Sequence, residues 1–82
     1  MLKADAIRAW ITEFLASLLG IDPAEIHGAS RFNNLGLDSV DAVVMAGAME
    51  EHFATQIDAT LVLRNATIDE LLADLRANGI VE

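Results

Sequence analysis

The chain has no cysteine, and that closes several routes at once. There is no disulfide to staple a small domain, no thiolate to bind a metal and no thiol nucleophile, a usage that suits the cytoplasm. Cations are scarce too: 5 basic residues stand against 13 acidic ones, for a formal net charge of −8. Phosphate backbones and anionic lipids repel such a chain, so nucleic acid is not an expected partner, whereas a basic protein surface is. Aromatic residues make up 5% of a chain that is 54% hydrophobic, with much of the apolar share being alanine. That balance favours closely packed helices over a sheet with bulky branched faces. No stretch is long and apolar enough to span a bilayer. The opening MLKADAIRAWITEFLASLLG carries Asp5, Arg8 and Glu13 among its apolar residues, with no small-residue cleavage site after them, and is not read as a targeting segment. Internal repeats, low-complexity tracts and linkers are also missing.

At 82 residues the expectation is one domain, 1–82, with a simple core; chains of this size bury little more than half of their unfolded surface. Ile7, Trp10, Ile11, Phe14, Leu15 and Leu18 recur at helical spacing, and Gly20 follows as a left-handed stop. In DPAEI, Asp22 caps a brief helical turn with Pro23 first and Glu25 reaching back. The segment from His27 to Leu37 reads as a loop tied to the core by Phe32, Leu35 and Leu37. A second long helix is predicted from Asp38 or Ser39 to about Phe53, with Val40, Val43 and Gly47, joined by Ala46 and Met49, on its inner side. DATLVLRN fits a strand as well as a short helix, but a lone strand lacks a pairing partner, so a short helix is expected. In TIDE, Thr67 caps the last helix and Glu70 completes a capping box, with Ile68, Leu71, Leu72 and Leu75 inside and Gly79 at the end. The expected fold is all-α, a four-helix bundle of three longer helices and one short helix.

Residues 35–42, LGLDSVDA, hold the candidate chemistry. Ser39 as a catalytic nucleophile lacks a base. His52 lies 13 residues further along the same helix, about 20 Å away at ~1.5 Å per residue. His27 is in the loop, and nothing speaks for an oxyanion hole or a closed cleft. DSVD does not make a calcium loop, because the alternating oxygen ligands and the central glycine are absent. Asp38 or Ser39 as a plain helix cap is the bland alternative. Against it, Gly36 leaves the approach open, Leu37 anchors the loop, and Ser39 stands exposed at a helix N-terminus, where free N–H groups accept a phosphate.

In this setting LGLDSV resembles the 4′-phosphopantetheine attachment signature of acyl and peptidyl carrier proteins. The likeness extends over IDPAEI, FNNLGLDSVDAVVMAGAMEEHF and ATLVLRNATIDELLADL, nearly the whole chain. The resemblance implies that Ser39 takes the arm from coenzyme A in a phosphodiester bond, made by a separate phosphopantetheinyl transferase that uses magnesium and supplies the base. Asp38 would cap the helix and help hold that magnesium. The chain itself would be no enzyme, would carry acyl or aminoacyl thioesters as a monomer, and would deliver them to loading, condensing or tailoring enzymes with basic patches.

No lysine or arginine occurs from Phe32 to Leu63, while Asp38, Asp41, Glu50, Glu51 and Asp58 all fall there. Weak docking of basic partners on such a face favours fast arrival and release. Val40, Asp41, Val44, Ala48 and Glu51 are the candidate docking residues. Where many carriers of fatty acid synthesis have a glutamate on the exposed side of this helix, the chain has Val44, with Met45 and Ala48 nearby. That departure, and the tail, resemble carriers of polyketide and nonribosomal peptide assembly. Two alternatives stand beside the carrier: an unmodified helical protein-interaction module and a small serine-dependent enzyme.

Overall fold

A computed structural model describes residues 2–82. Among the described residues are five α-helices: α1 (Ala4–Leu19), α2 (Phe32–Leu35), α3 (Ser39–Phe53), α4 (Ala59–Leu63) and α5 (Ile68–Ala77). A 3-10 turn at Pro23–Glu25 precedes α2. No strand occurs among these residues, only isolated bridges pairing Leu2 with Val81 and Arg31 with Thr67. The helical bundle with three long helices is the expected one, and the ambiguous ATLVL segment is the short helix α4.

The helices begin and end where short-range chemistry directs them. Asp22 accepts from the Ala24 N–H and Glu25 reaches back to the Asp22 N–H, while Pro23 occupies the first helical position. Asp58 caps α4 by accepting from the Thr60 N–H at 2.9 Å. Thr67 caps α5 by accepting from the Glu70 N–H. Glu70 completes that cap differently from the expected box, since its carboxylate takes the Thr67 hydroxyl proton at 3.2 Å. α1 stops at Gly20, whose φ of 67° lets its N–H close on the Ala16 carbonyl.

Ile7, Ile11 and Leu15 of α1 and Leu71 and Leu75 of α5 are fully buried, together with Met45 and Met49 of α3. Trp10 and Phe14 pack partly buried at the edge of this core, their rings stacked 5.0 Å apart. Leu18 departs from its expected place in the core. It stands in the last turn of α1, where the chain turns back at Gly20 and leaves it 41% exposed.

The inner side of α3 is only in part the one expected. Ala46 and Met49 face the core as expected, joined by Ala42 and Met45, whereas Val40, Val43 and Gly47 face outward. The helix is apolar nearly all round, so the sets 40/43/44/47 and 42/45/46/49 both satisfy the helical spacing, and periodicity does not choose between them. Met45, expected near the docking face, is wholly buried.

The long segment before α3 is more ordered than a loop. Phe32 is buried and donates its N–H to the Ala66 carbonyl at 2.8 Å, and the helical turn α2 forms around that anchor. Leu37 is buried and Leu35 half-buried, as expected. Further back, Gly28 lies against the Arg8–Asp69 ion pair, where any Cβ would collide with both side chains. Its carbonyl accepts from the Asp69 N–H at 3.0 Å, which pins the segment to the head of α5.

Candidate functional site

The site is built at the junction of α2 and α3. Gly36 takes a φ of 103°, a left-handed conformation that favours glycine, and ends α2 by donating its N–H to Asn33. Leu37 then buries its side chain and donates its N–H to the Phe32 carbonyl at 2.9 Å. The chain is thereby fixed on both sides of the reversal before α3 starts.

Asp38 is the cap. Its Oδ1 accepts from the Asp41 N–H at 2.8 Å, and Asp41 Oδ2 accepts from the Asp38 N–H at 3.5 Å, a capping box made of two aspartates. Two carboxylates in the first turn also meet the positive end of the helix dipole. Ser39 follows as the first helical residue, exposed, and among the described residues its hydroxyl forms no hydrogen bond. The sequence left the cap open between Asp38 and Ser39, and the structure gives it to Asp38.

An open recess of about 260 Å³ lies beside Ser39, between α2, the head of α3 and α4. Phe32, Leu37, Ala42 and Val62 give it apolar walls, and Arg31, Asn33, Asp38 and Asn65 give it polar ones. Neither histidine lines it. His52 stacks on Trp10 at 5.6 Å and meets Phe53 edge-on at 4.8 Å, at the opposite end of α3 from Ser39. Among the described residues no cluster of acidic or histidine side chains is arranged to hold a metal ion.

Asp74 of α5 fixes the Asn65 side of the recess. Its carboxylate accepts from Arg64 Nε and Nη2 at 2.6 and 2.7 Å and from Asn65 Nδ2 at 2.8 Å. The hydrogen bonds from Arg64, then that from Asn65, hold the Asp74 carboxyl down to about 2 from its ordinary 3.8, and Asn78 adds to the effect. The link from α4 to α5 is thus tied from several sides.

The acidic stretch is less uniformly free than its composition implies. Asp38 and Asp41 are engaged in the cap, and Glu50 Oε1 accepts from the Ile57 N–H at 2.8 Å. Asp58 takes both the N–H and the hydroxyl of Thr60, and the first of these bonds chiefly lowers its pKa. Glu51 alone of the five has no hydrogen bond or ion pair among the described residues. On the outer side of α3, Val40 is 69% exposed, Val43 50% and Val44 52%, with Ala48 half-buried beyond them. Val43, read from the sequence as core, therefore joins this stripe. The recess residues Arg31, Asn33 and Asn65 carried no motif of their own; their signal was only adjacency to LGLDSV and to the short helix.

This arrangement, a serine on a capped helix end beside a recess, accompanies a match to a known family. The chain belongs to the phosphopantetheine attachment site family, whose model matches residues 9–75. It is 32% identical over 77 residues to the non-reducing polyketide synthase pigA of Monascus ruber, a match that covers 94% of this chain but 3% of that protein. Among solved structures it resembles a free-standing peptidyl carrier protein from an uncharacterized secondary metabolic pathway of Acinetobacter baumannii. That likeness has a TM-score of 0.79 at 25% identity and covers 93% of this chain and 95% of the other. The HMG-ACPI domain of the CurA module from Lyngbya majuscula shares the fold, with a TM-score of 0.71 at 24% identity over 85% of this chain and 71% of that one. The protein is a carrier-protein domain, of a family that bears 4′-phosphopantetheine.

Proposed function

We propose that residues 1–82 form one carrier domain, that Ser39 is its attachment point, and that the arm carries acyl or aminoacyl thioesters in a polyketide or nonribosomal peptide pathway of the cytoplasm. The observation that carries the assignment is the free, exposed Ser39 hydroxyl at the first residue of α3. A group with no internal partner leaves the fold intact when it is esterified, and the helix end favours the phosphodiester's negative charge. The recess leaves room beside the oxygen for the arm, so the residues present fit the group.

Ser39 supplies the oxygen that becomes part of the phosphodiester, and its proton leaves to a base on the transferase. The nucleotide portion of coenzyme A departs with the broken phosphoanhydride. Once attached, the arm supplies the reactive thiol that the cysteine-free chain lacks. Asp38 holds Ser39 at the helix start and offers a carboxylate to the transferase's magnesium. Val40, Asp41, Val44, Ala48 and Glu51 then form the face met by loading, condensing and tailoring enzymes, with Val43 added to it.

The test is incubation with coenzyme A and a promiscuous phosphopantetheinyl transferase, read as intact mass. The wild type gains one arm and Ser39→Ala gains none while its helical signal is unchanged. A wild type that gains no mass is instead a helical interaction module, and an alanine variant that gains it moves the site elsewhere.

A further inference from the structure

Among the described residues, Arg31 is the one arginine whose side chain forms no hydrogen bond or ion pair. Arg8 pairs with Asp69 at 2.8 Å, Arg64 pairs with Asp74, and Arg76 Nε donates to the Glu82 carbonyl at 2.7 Å. The Arg31 guanidinium has no hydrogen bond or ion pair among the described residues. Its main chain, by contrast, is held firmly. The carbonyl accepts from the N–H groups of Asn34 and Leu35 at 3.1 Å, and the residue bridges Thr67 across the molecule. A locked backbone thus places Arg31, with its idle guanidinium, in the lining of the recess that also holds Ser39.

The recess has one cation and an acidic surround. It is lined by Asp38, with Asp41 in the same first turn, on a chain of net charge −8. A phosphodiester anion placed at Ser39 meets repulsion from these groups, and no lysine or arginine between residues 32 and 63 offsets it. A planar guanidinium offers two parallel N–H donors to phosphate oxygens, the pairing for which arginine is best shaped. Beyond it, among the described residues, the Asn33 side-chain amide has no hydrogen-bond partner, and Asn65 spends its Nδ2 on Leu61 and Asp74 while its side-chain carbonyl oxygen accepts none. Those groups match the amides and hydroxyl of a pantetheine chain. Pockets that bury a drug-sized ligand run to about 300–1,000 Å³. A recess of about 260 Å³ therefore takes a segment of the arm and leaves its far end outside.

Resting on the attachment at Ser39, we propose that Arg31 clamps the arm's phosphodiester and that Asn33 and Asn65 hold the adjoining segment in the recess. Between encounters the arm is thus seated on its own domain, and a partner must draw it out. Salt weakens the clamp, because Arg31 is exposed and its pairing is screened.

The experiment uses the holo protein, with one arm confirmed by mass, and compares it with the apo form by nitrogen-15 and phosphorus-31 NMR. The Arg31 Nε–H signal and the side-chain amides of Asn33 and Asn65 shift on arm addition. In Arg31→Gln, which keeps the fold because the side chain has no hydrogen bond or ion pair among the described residues, the phosphorus signal moves to the position of the same phosphodiester on a short unstructured serine peptide and the amide shifts are lost. Arg31→Lys recovers part of them. An arm present by mass with Arg31, Asn33 and Asn65 unmoved overturns the clamp, as does a phosphorus signal that is the same in Arg31→Gln. A protein that gains no arm overturns the attachment at Ser39 itself, so the two failures are distinct.

Discussion

Asp38 has two roles, one observed and one proposed, and different substitutions separate them. Its carboxylate closes the first turn of α3 on the Asp41 N–H at 2.8 Å, and in the proposed function it also serves the transferase's magnesium. Asp38→Ala removes the cap and costs about 1 kcal/mol, whereas asparagine is as good a cap as aspartate. Asp38→Asn is therefore expected to keep the unfolding free energy within a few tenths of a kcal/mol yet to slow phosphopantetheine transfer, because the proposed charge for magnesium is gone. Denaturant midpoints and transfer rates on the three proteins check this, and equal rates would remove the metal role. Asp38 and Ser39 were legible in the sequence because an acidic cap before an apolar run has a local cause. Arg31 was not, since its meaning depends on a recess assembled from α2, α3 and α4.

At the scale of elements, the limits of the long helices were legible, while α2 and the facing of α3 were not. Caps at Asp22 and Thr67 act within three residues, so the sequence contains them whole. Two apolar stripes on one helix, by contrast, are distinguished only by what packs on them. The outcome matters for docking, because Val40, Val43 and Val44 lie outside while Met45 lies within. Burying a valine contributes about 1.5 kcal/mol, roughly tenfold in affinity, and an exposed ion pair under about 1 kcal/mol. Partners for the proposed docking face are thus expected to be selected by shape as well as charge. A malonyl transferase of fatty acid synthesis is expected to load the holo protein poorly, and Val44→Glu to raise that loading while weakening use by the native partner. Loading rates at low and high salt distinguish the two effects, since the added charge contact fades with salt and the lost apolar contact does not. Fast loading of the unaltered protein, with no effect of Val44→Glu, would contradict the role of the valine stripe. The α4–α5 link adds a pH dependence. With the Asp74 carboxyl at about 2 in the fold against an ordinary 3.8, the unfolded chain binds more protons between those values. Its stabilisation is complete above about pH 4 and is lost as pH falls through about 2, so Asp74→Asn flattens that part of the acid unfolding curve. Matching wild-type and variant curves there would deny the carboxylate this function.

Across the whole molecule, the fold engages most of its charged side chains in its own hydrogen bonds and ion pairs and keeps few for partners. Capping takes Asp38, Asp41 and Asp58, and the Ile57 N–H takes Glu50, while Ser39, Arg31 and the valine stripe are left without internal work. Those idle groups cluster around the head of α3, and the proposed function rests on their free state. The helical bundle was legible from alanine content and helical spacing, while the clustering required the tertiary structure.

The most direct measurement uses the same scarcity of cations. Trypsin leaves residues 32–64 as one peptide, because no lysine or arginine interrupts it, and Ser39 is its only serine. After treatment with coenzyme A and a broad transferase, fragmentation of that peptide is expected to find one phosphopantetheine on Ser39. An arm on Ser17, on Ser30 or on no residue at all would contradict the assignment.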